Sequence, residues 1–292
     1  DLSDRVAEIS KRTLRRDADK YIQFTERFPL TVEFDPSPEE IRLYDLVNGY
    51  LQREELFAFP KSQRHLSALI IRKRLGSSTY AVASTLTNVA HRLESEIAEG
   101  KRRDSSGAFL ADADLTSDES EAIGEAGVSG GSTGEKIHSG VAEEMKREVE
   151  DLRRLADLAR SITVNQKAVK LNHALDLGFE KLREIGAPEK SIIFTDSTVT
   201  QDYIARSLAE AGRDEGLVLF NGSNDSPRAT EIYRHWIEAN KDSDLITGIA
   251  SADRRKALVD HFRDEGTIMV ATEAAAEGIN LQFCSMVVNY DL

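Results

Sequence analysis

The chain has 292 residues, 40% of them hydrophobic and 30% charged, a globular composition long enough for one large domain or two ordinary ones. Its apolar runs fall short of the roughly 18 residues that a membrane span requires, so no membrane partner is expected. The single cysteine, Cys284, excludes an internal disulfide framework, and no Cys/His cluster predicts a metal site. A reducing cytoplasm is the expected location.

The net charge of −13 argues at first sight against a nucleic-acid partner, because phosphate binding needs positive potential. The charge is uneven, however: residues 104–135 hold eight acidic residues and no Lys or Arg, and subtracting those eight leaves −5 elsewhere. Residues 104–140 are also rich in Gly and Ser and poor in large apolar groups, so burial cannot offset their ordering entropy. We therefore predict an acidic disordered linker over 104–140, and a basic groove remains possible in the rest of the chain.

The part before the linker is predicted to be mainly helical. Residues 30–34, LTVEF, alternate apolar and polar side chains and predict a short strand. Residues 37–40, SPEE, have the pattern of a capping box and predict the start of a helix. Residues 65–86 predict two further helices with a break near Gly76. The apolar face of the capped helix is predicted to consist of Ile41, Tyr44, Val47 and Leu51.

The part after the linker begins with another predicted helix and then changes to strands that alternate with helices. Residues 141–162 carry apolar side chains at helical spacing. From about residue 190, strands alternate with helices, which predicts a parallel sheet with helices on its faces. The predicted strands are 191–195, 217–220, 267–272 and 285–290. The predicted helices run from a capping box at 198–201 to Gly212, from Thr230 onward, and over 252–262.

Several polar or small residues fall where these predicted strands end. In parallel sheets, ligands bind beyond the carboxyl ends of the strands. Thr195, Asn221, Gly222 and Thr272 occupy those positions. A simpler interpretation is that the threonines cap strand-to-helix turns, since Thr commonly does so.

Four segments of this second half together resemble superfamily 2 helicases and translocases. IMVATEAAAEGINLQ (268–282) resembles motif V, and SIIFTDS (191–197) resembles motif IV. The helix over 255–262 is similar to the one that precedes motif V, and SMVVNYDL (285–292) to the strand leading into motif VI. All four occur in the order that the family has.

The first half of the chain indicates which branch of this superfamily is most similar. Residues 12–47 and LIIRKRLGSS (69–78) resemble the approach to the second lobe of Swi/Snf-type ATPases, and the bacterial branch, which includes the RNA-polymerase-recycling ATPases, is most similar. The similarity covers 1–100 and 141–292. It implies a segment leading into the lobe and a helical subdomain (1–103), the linker (104–140), a helical segment (141–185), and an incomplete second RecA-like lobe (186–292).

The resemblance implies an ATP-dependent translocase that acts on nucleic acid, with duplex DNA expected. Thr272 is the first candidate for a contact with backbone phosphates, and Thr195 and Gly222 are the next. A hydroxyl group, or a backbone N–H that a glycine leaves accessible, can donate to a phosphate oxygen. Gly278 and Asn280 are expected on the ATP side, with Asn280 near the ribose. ATP and Mg²⁺ would be bound mainly by a first lobe.

Two features depart from the family pattern. Glu277 stands where many RNA helicases carry Arg, which disfavours a DEAD-box RNA helicase and suits a duplex translocase. A stretch of 28 residues, 223–250, occurs where the family has a short loop, so either Gly222 or Gly248 could face the phosphate.

The chain is expected to be a fragment that is inactive by itself. It starts without Met and stops where motif VI should begin, and GGSTGEK (130–136) has the wrong spacing for a Walker A loop. Phosphoryl transfer needs both a phosphate cradle and an arginine finger. No catalytic residue is therefore assigned.

Two other functions remain open at the level of sequence. The helical part and the acidic linker could form a docking module for a protein partner such as RNA polymerase. An unrelated α/β enzyme of the Rossmann type would need a glycine-rich fingerprint after its first strand, and SIIFTDSTVTQ (191–201) contains none.

Overall fold

The computed structural model describes residues 28–59, 64–102, 136–272 and 278–291. Residues 28–33, which belong to a separate unit, have irregular backbone, and the described residues from Phe34 onward form one compact unit. Most of the predicted acidic linker lies outside the described residues. None of the helices in the described ranges is long and apolar enough to cross a bilayer.

The first half of the compact unit is helical. Within the described ranges it contains four helices, α1 (Pro38–Leu51), α2 (Arg64–Ser77), α3 (Thr79–Glu99) and α4 (Ser139–Ser161). The capping box that opens α1 is confirmed: Glu40 N–H donates to Ser37 Oγ at 3.2 Å, and Ser37 N–H donates to Glu40 Oε2 at 2.7 Å. The break between α2 and α3 is also confirmed, because Ser78 stands between them as the N-cap of α3.

Two details of this half were predicted wrongly. Residues 30–34 form no strand, and within the described ranges they pair with no other strand. An isolated alternating segment gains nothing from an extended backbone unless a partner strand satisfies its hydrogen bonds. The buried face of α1 is rotated from the predicted one: Ile41 and Tyr44 are exposed, whereas Leu43 and Tyr50 join the core.

The second half is the predicted parallel sheet. Its strands are β1 (Ser191–Thr195), β2 (Leu217–Phe220), β3 (Ile268–Thr272) and β4 (Met286–Asn289). All pairings are parallel, and the strand order is β2-β3-β1-β4. The fold is therefore an α/β RecA-like sheet that follows a helical region, as predicted.

Helices cover both faces of this sheet. They are α5 (Gln166–Glu184), α6 (Thr198–Glu210), α7 (Pro227–Ala239) and α8 (Ala250–Asp264). On one face, Leu175 of α5 and Ile204 of α6 pack in a cluster with Ile193 of β1. On the other, Ile232 of α7 and Phe262 of α8 pack with other sheet residues. Parallel strands buried on both faces have near-continuous apolar sequences, as β3 does.

The starts of α6 and α7 differ from the predictions. Ser197, not Thr198, is the N-cap of α6, and its side chain accepts a hydrogen bond from Thr200 N–H. Gln201 belongs to no capping box: its buried amide donates to the carbonyls of Phe220 and Val270, at 3.0 and 2.8 Å. Helix α7 begins three residues before the predicted Thr230, where Ser226 caps a proline-initiated first turn.

Candidate functional site

Three of the predicted ligand contacts lie at one edge of the sheet. Thr195 ends β1 and Thr272 ends β3, and these two residues are register partners on adjacent strands. On the other side of β3, Phe220 of β2 pairs with Ala271, so Gly222 lies just beyond the end of β2. The structure therefore brings Thr195, Thr272 and Gly222 to the same carboxyl edge.

Thr195 is already engaged at this edge by a carboxylate from the chain itself. Its hydroxyl donates to Asp291 Oδ2 at 2.6 Å, and the N–H of Asp196 donates to the same oxygen at 3.1 Å. Lys167 Nζ lies 3.2 Å from the other carboxylate oxygen. Thr195 is buried, and it does not cap α6, because Ser197 does. Its hydroxyl has the geometry of an anion contact.

Thr272 is buried but not fully covered, with 7% of its surface exposed. Within the described ranges its hydroxyl makes no hydrogen bond, so the side chain has a donor to offer. The following residues, 273–277, lie outside the described part of the chain, and they include Glu277.

The turn that contains Gly222 is closed by a reciprocal pair of hydrogen bonds and carries backbone donors. Asn221 N–H donates to Asn224 Oδ1 at 2.9 Å, and Asn224 N–H donates to Asn221 Oδ1 at 2.8 Å. Arg254 of α8 anchors the turn by donating to the carbonyl of Asn224 at 3.2 Å. In the described part of the chain, the N–H groups of Gly222 and Ser223 donate to no acceptor. Such groups can bind a phosphate oxygen.

The alternative glycine, Gly248, is placed differently. It has a φ of +79°, and its N–H donates to Asp253 Oδ2 at 3.1 Å. Asp253 also accepts from the N–H and hydroxyl of Thr247, at 2.9 and 2.7 Å, and these bonds hold the pKa of its carboxyl below the ordinary value. The Gly248 N–H is therefore occupied, whereas the Gly222 N–H donates to no acceptor in the described ranges.

The two residues assigned to the ATP side lie on a short exposed segment. Gly278 has a φ of +77°, a conformation that suits glycine. Ile279 and Leu281 pack against the apolar cluster beneath α8, while Gly278 and Asn280 are exposed between them. Asn280 Oδ1 accepts from the N–H of Gln282 at 3.1 Å, which leaves its amide group outward and able to bind a ribose hydroxyl.

Sequence reasoning missed two charged residues at this edge, Asp291 and Lys167. Asp291 follows β4 directly, so the rule that placed Thr195 and Thr272 at strand ends could have found it. Lys167 lies in the first turn of α5, and no sequence pattern distinguishes it from an ordinary surface lysine. In the described ranges, no group of three His, Cys, Asp or Glu side chains is placed to hold a metal ion.

Comparison with known protein families gives a match over this region. Residues 178–292 match the model of the helicase conserved C-terminal domain. This match covers the sheet, the end of α5, helices α6 to α8 and all five predicted site residues. The match shows that this region is similar to the C-terminal domain of helicases.

Individual relatives are similar over the same region. An uncharacterized ATP-dependent helicase, YqhH, of Bacillus subtilis (strain 168) is 35% identical over 98 residues, which are 32% of this chain and 17% of the relative. The ATP-dependent RNA helicase RhlB of Hamiltonella defensa subsp. Acyrthosiphon pisum (strain 5AT) is 27% identical over 124 residues, 42% of this chain and 29% of the relative. RhlB of Yersinia pestis (strain Pestoides F) is 28% identical over 124 residues, with 42% and 28% covered.

The chain thus spans less than a third of the length of these curated relatives. No solved structure matches it significantly.

Proposed function

We propose that this chain supplies the second RecA-like lobe of an ATP-dependent nucleic-acid translocase of the Swi/Snf type. The carboxyl edge of its sheet grips backbone phosphates through Thr272 and the Gly222 turn. The segment with Gly278 and Asn280 forms one wall of the ATP site. ATP use is supported by the helicase relatives, whose names describe ATP-dependent enzymes.

One observation carries the phosphate part of this proposal. Donors from adjacent strands meet at a single edge: the Thr272 hydroxyl at the end of β3, and the Gly222 and Ser223 N–H groups after β2. Phosphate oxygens accept hydrogen bonds and offer none, so a row of donors without acceptors suits them. Such contacts position a strand without reading its bases, which is what a motor that moves along any sequence requires.

The same edge could link the two ligands. Thr272 and Asn280 are only eight residues apart in the chain, on the two sides of one connection. A shift of that connection when ATP binds would change the hold on the nucleic acid, which is how closure around one ligand alters affinity for another. The phosphate cradle, Mg²⁺ and the arginine finger are proposed to come from outside these 292 residues, and the chain by itself is proposed to have no ATPase activity.

The proposal is tested by removing a single hydroxyl. Thr272→Val keeps the shape of the side chain but deletes its donor, and the 292-residue protein is titrated onto a fluorescent 30-base-pair duplex. Loss of a hydrogen bond to a charged phosphate costs about 1.5–3 kcal/mol, so Kd should rise by roughly tenfold or more. The salt dependence of binding should not change, because the hydroxyl carries no charge.

The matched control is Thr85→Val, the same substitution at a buried threonine of α3 whose hydroxyl donates to the Ala81 carbonyl. Equal affinities for Thr272→Val and Thr85→Val would refute the assigned contact. Parallel titrations with duplex DNA and duplex RNA decide the substrate. We expect DNA to bind more tightly because of Glu277, whereas the names of the RhlB relatives favour RNA.

A further inference from the structure

The end of β1 carries a complete anion-binding site that the chain fills with its own carboxylate. Three donors converge on Asp291: the Thr195 hydroxyl at 2.6 Å, the Asp196 N–H at 3.1 Å and Lys167 Nζ at 3.2 Å. They come from a strand end, the residue after it and the first turn of a helix. A hydroxyl, a backbone amide and an ammonium group together are the donors that a phosphate oxygen also requires.

The site is sheltered from solvent, so its occupant matters energetically. The Asp291 side chain is 4% exposed and the Lys167 side chain 18% exposed. Hydrogen bonds to charged groups are stronger than neutral ones in such surroundings. Leaving these donors without an acceptor would cost free energy. An incoming anion must therefore displace the Asp291 carboxylate.

Its position connects it to the proposed nucleic-acid path. Thr195 is the register partner of Thr272, so the two hydroxyls belong to neighbouring strand ends. Asp291 follows β4, which lies on the far side of β1 from Thr272. The carboxylate therefore occupies the next strand end along the row of phosphate contacts.

The site is also tied to the helical region. Lys167 Nζ donates to the carbonyl of Gly76 in α2 at 3.0 Å, and Lys73 of α2 pairs with Asp196 at 2.9 Å. Displacing Asp291 would allow Lys167 to bind the new anion, and the same lysine also contacts α2. A change of the anion bound at this site can therefore alter the position of the helical region.

We propose that Asp291 is an intramolecular gate over a phosphate site formed by Thr195, Asp196 N–H and Lys167. This proposal rests on the proposed function, because the anion that competes with Asp291 is a phosphodiester of the nucleic-acid backbone. In the closed state Asp291 mimics that phosphate and neutralises Lys167. In the open state the phosphate takes its place, and Lys167 adds one positive charge to the binding surface.

The experiment measures binding of a fluorescent 30-base-pair DNA duplex to the 292-residue protein over a range of salt concentrations. Asp291→Asn removes the charge but keeps an oxygen that can accept from Thr195, so the fold should be retained. We expect the Kd of Asp291→Asn to fall about fivefold, the lower end of ordinary coupling between sites. The slope of log K against log salt should stay the same, because Lys167 neutralises a phosphate in the complex with either protein.

Two further variants separate the gate from simpler effects. Asp244→Asn, at an exposed acid between α7 and α8, makes the same change of net charge and should leave both quantities unchanged. Thr195→Val in the Asp291→Asn background should abolish the gain in affinity, because it removes a donor of the site.

Competition with inorganic phosphate distinguishes a site for free phosphate from one that needs a polymer backbone. We expect that millimolar phosphate does not displace the duplex.

The outcomes are distinguishable. If wild type binds the duplex and Thr272→Val weakens it, but Asp291→Asn binds no more tightly, the gate is wrong and the proposed function stands. Displacement by millimolar phosphate would overturn the assignment to a backbone phosphodiester. If none of the proteins binds nucleic acid, the proposed function fails and the gate fails with it.

Discussion

Two glycines next to β2 differ in what a methyl group would meet. An added Cβ at Gly222 has no heavy atom within 4 Å, and its φ is not positive. At Gly216, which has a φ of +72°, a Cβ would lie 2.8 Å from the Thr267 hydroxyl oxygen and 3.0 Å from its backbone nitrogen. Among the described residues nothing requires glycine at 222, whereas the turn before β2 requires it at 216.

This contrast gives a prediction. Gly222→Ala should change the free energy of unfolding by less than about 0.5 kcal/mol, yet raise the Kd for a duplex, because a methyl group blocks close approach of a phosphate. Gly216→Ala should destabilise the protein by about 1–2 kcal/mol, the cost of a left-handed conformation with a Cβ. Urea unfolding and duplex titration measure both. Unchanged duplex affinity in Gly222→Ala would remove this turn from the proposed site.

The position of an individual residue was predictable from the sequence only when it followed from the end of a strand. Thr195 and Thr272 were correctly placed at the same sheet edge because parallel strands end together. Gln201 was assigned to a cap, although its amide bridges two strand carbonyls, because such a role depends on which helix crosses the sheet. Lys167 could not be found, since its partner Asp291 is 124 positions away.

At the scale of elements, one buried glutamate joins α1, α4 and the segment that follows α1. Glu148 of α4 accepts from the Tyr50 hydroxyl at 2.7 Å and from the N–H groups of Phe57 and Ala58, at 2.6 and 3.1 Å. Burial, together with the neighbouring carboxylate, raises the pKa of Tyr50 well above its usual value, so the phenol remains a donor. Three donors from two segments therefore depend on one carboxylate.

Substitutions in this network should differ in cost. Glu148→Gln replaces an acceptor oxygen by an amide donor that faces other donors, and should destabilise the protein by about 2–3 kcal/mol. Tyr50→Phe leaves two of the three bonds intact and should cost only about 1 kcal/mol. The free energy of unfolding in urea measures both variants. A cost for Tyr50→Phe equal to or above that of Glu148→Gln would show that the carboxylate is not the centre of the network.

The strands were predicted to within about one residue at either end because apolar runs between turn residues define them directly. The segment 30–34 was predicted wrongly because alternation indicates a strand without showing that a partner exists. The buried face of α1 was misjudged for a related reason. Residues at both i+3 and i+4 spacing were apolar, and only packing in the helical core selects Leu43 and Tyr50 over Ile41 and Tyr44.

At the scale of the whole molecule, the helical region and the sheet meet at the proposed phosphate edge. Ser77 at the end of α2 lies 2.7 Å from the hydroxyl of Thr200 in α6, close to the pairing of Lys73 with Asp196. Both contacts are made just after β1, near Thr195. Binding at the sheet edge would therefore change the contacts that hold α2. A motor needs such a connection if it is to transmit movement from the sheet to the helices.

The central claim is that this sheet edge binds the nucleic-acid backbone, and hydrogen–deuterium exchange of the 292-residue protein with and without a duplex tests it most directly. The amides of Gly222 and Ser223 should exchange quickly in the free protein, because they have no acceptor in the described part of the chain, and slowly when the duplex is bound. Amides around Asn280 should not change, because that segment faces the nucleotide. Unaltered exchange at Gly222 and Ser223 under saturating duplex, with protection confined to α1–α4, would contradict the account.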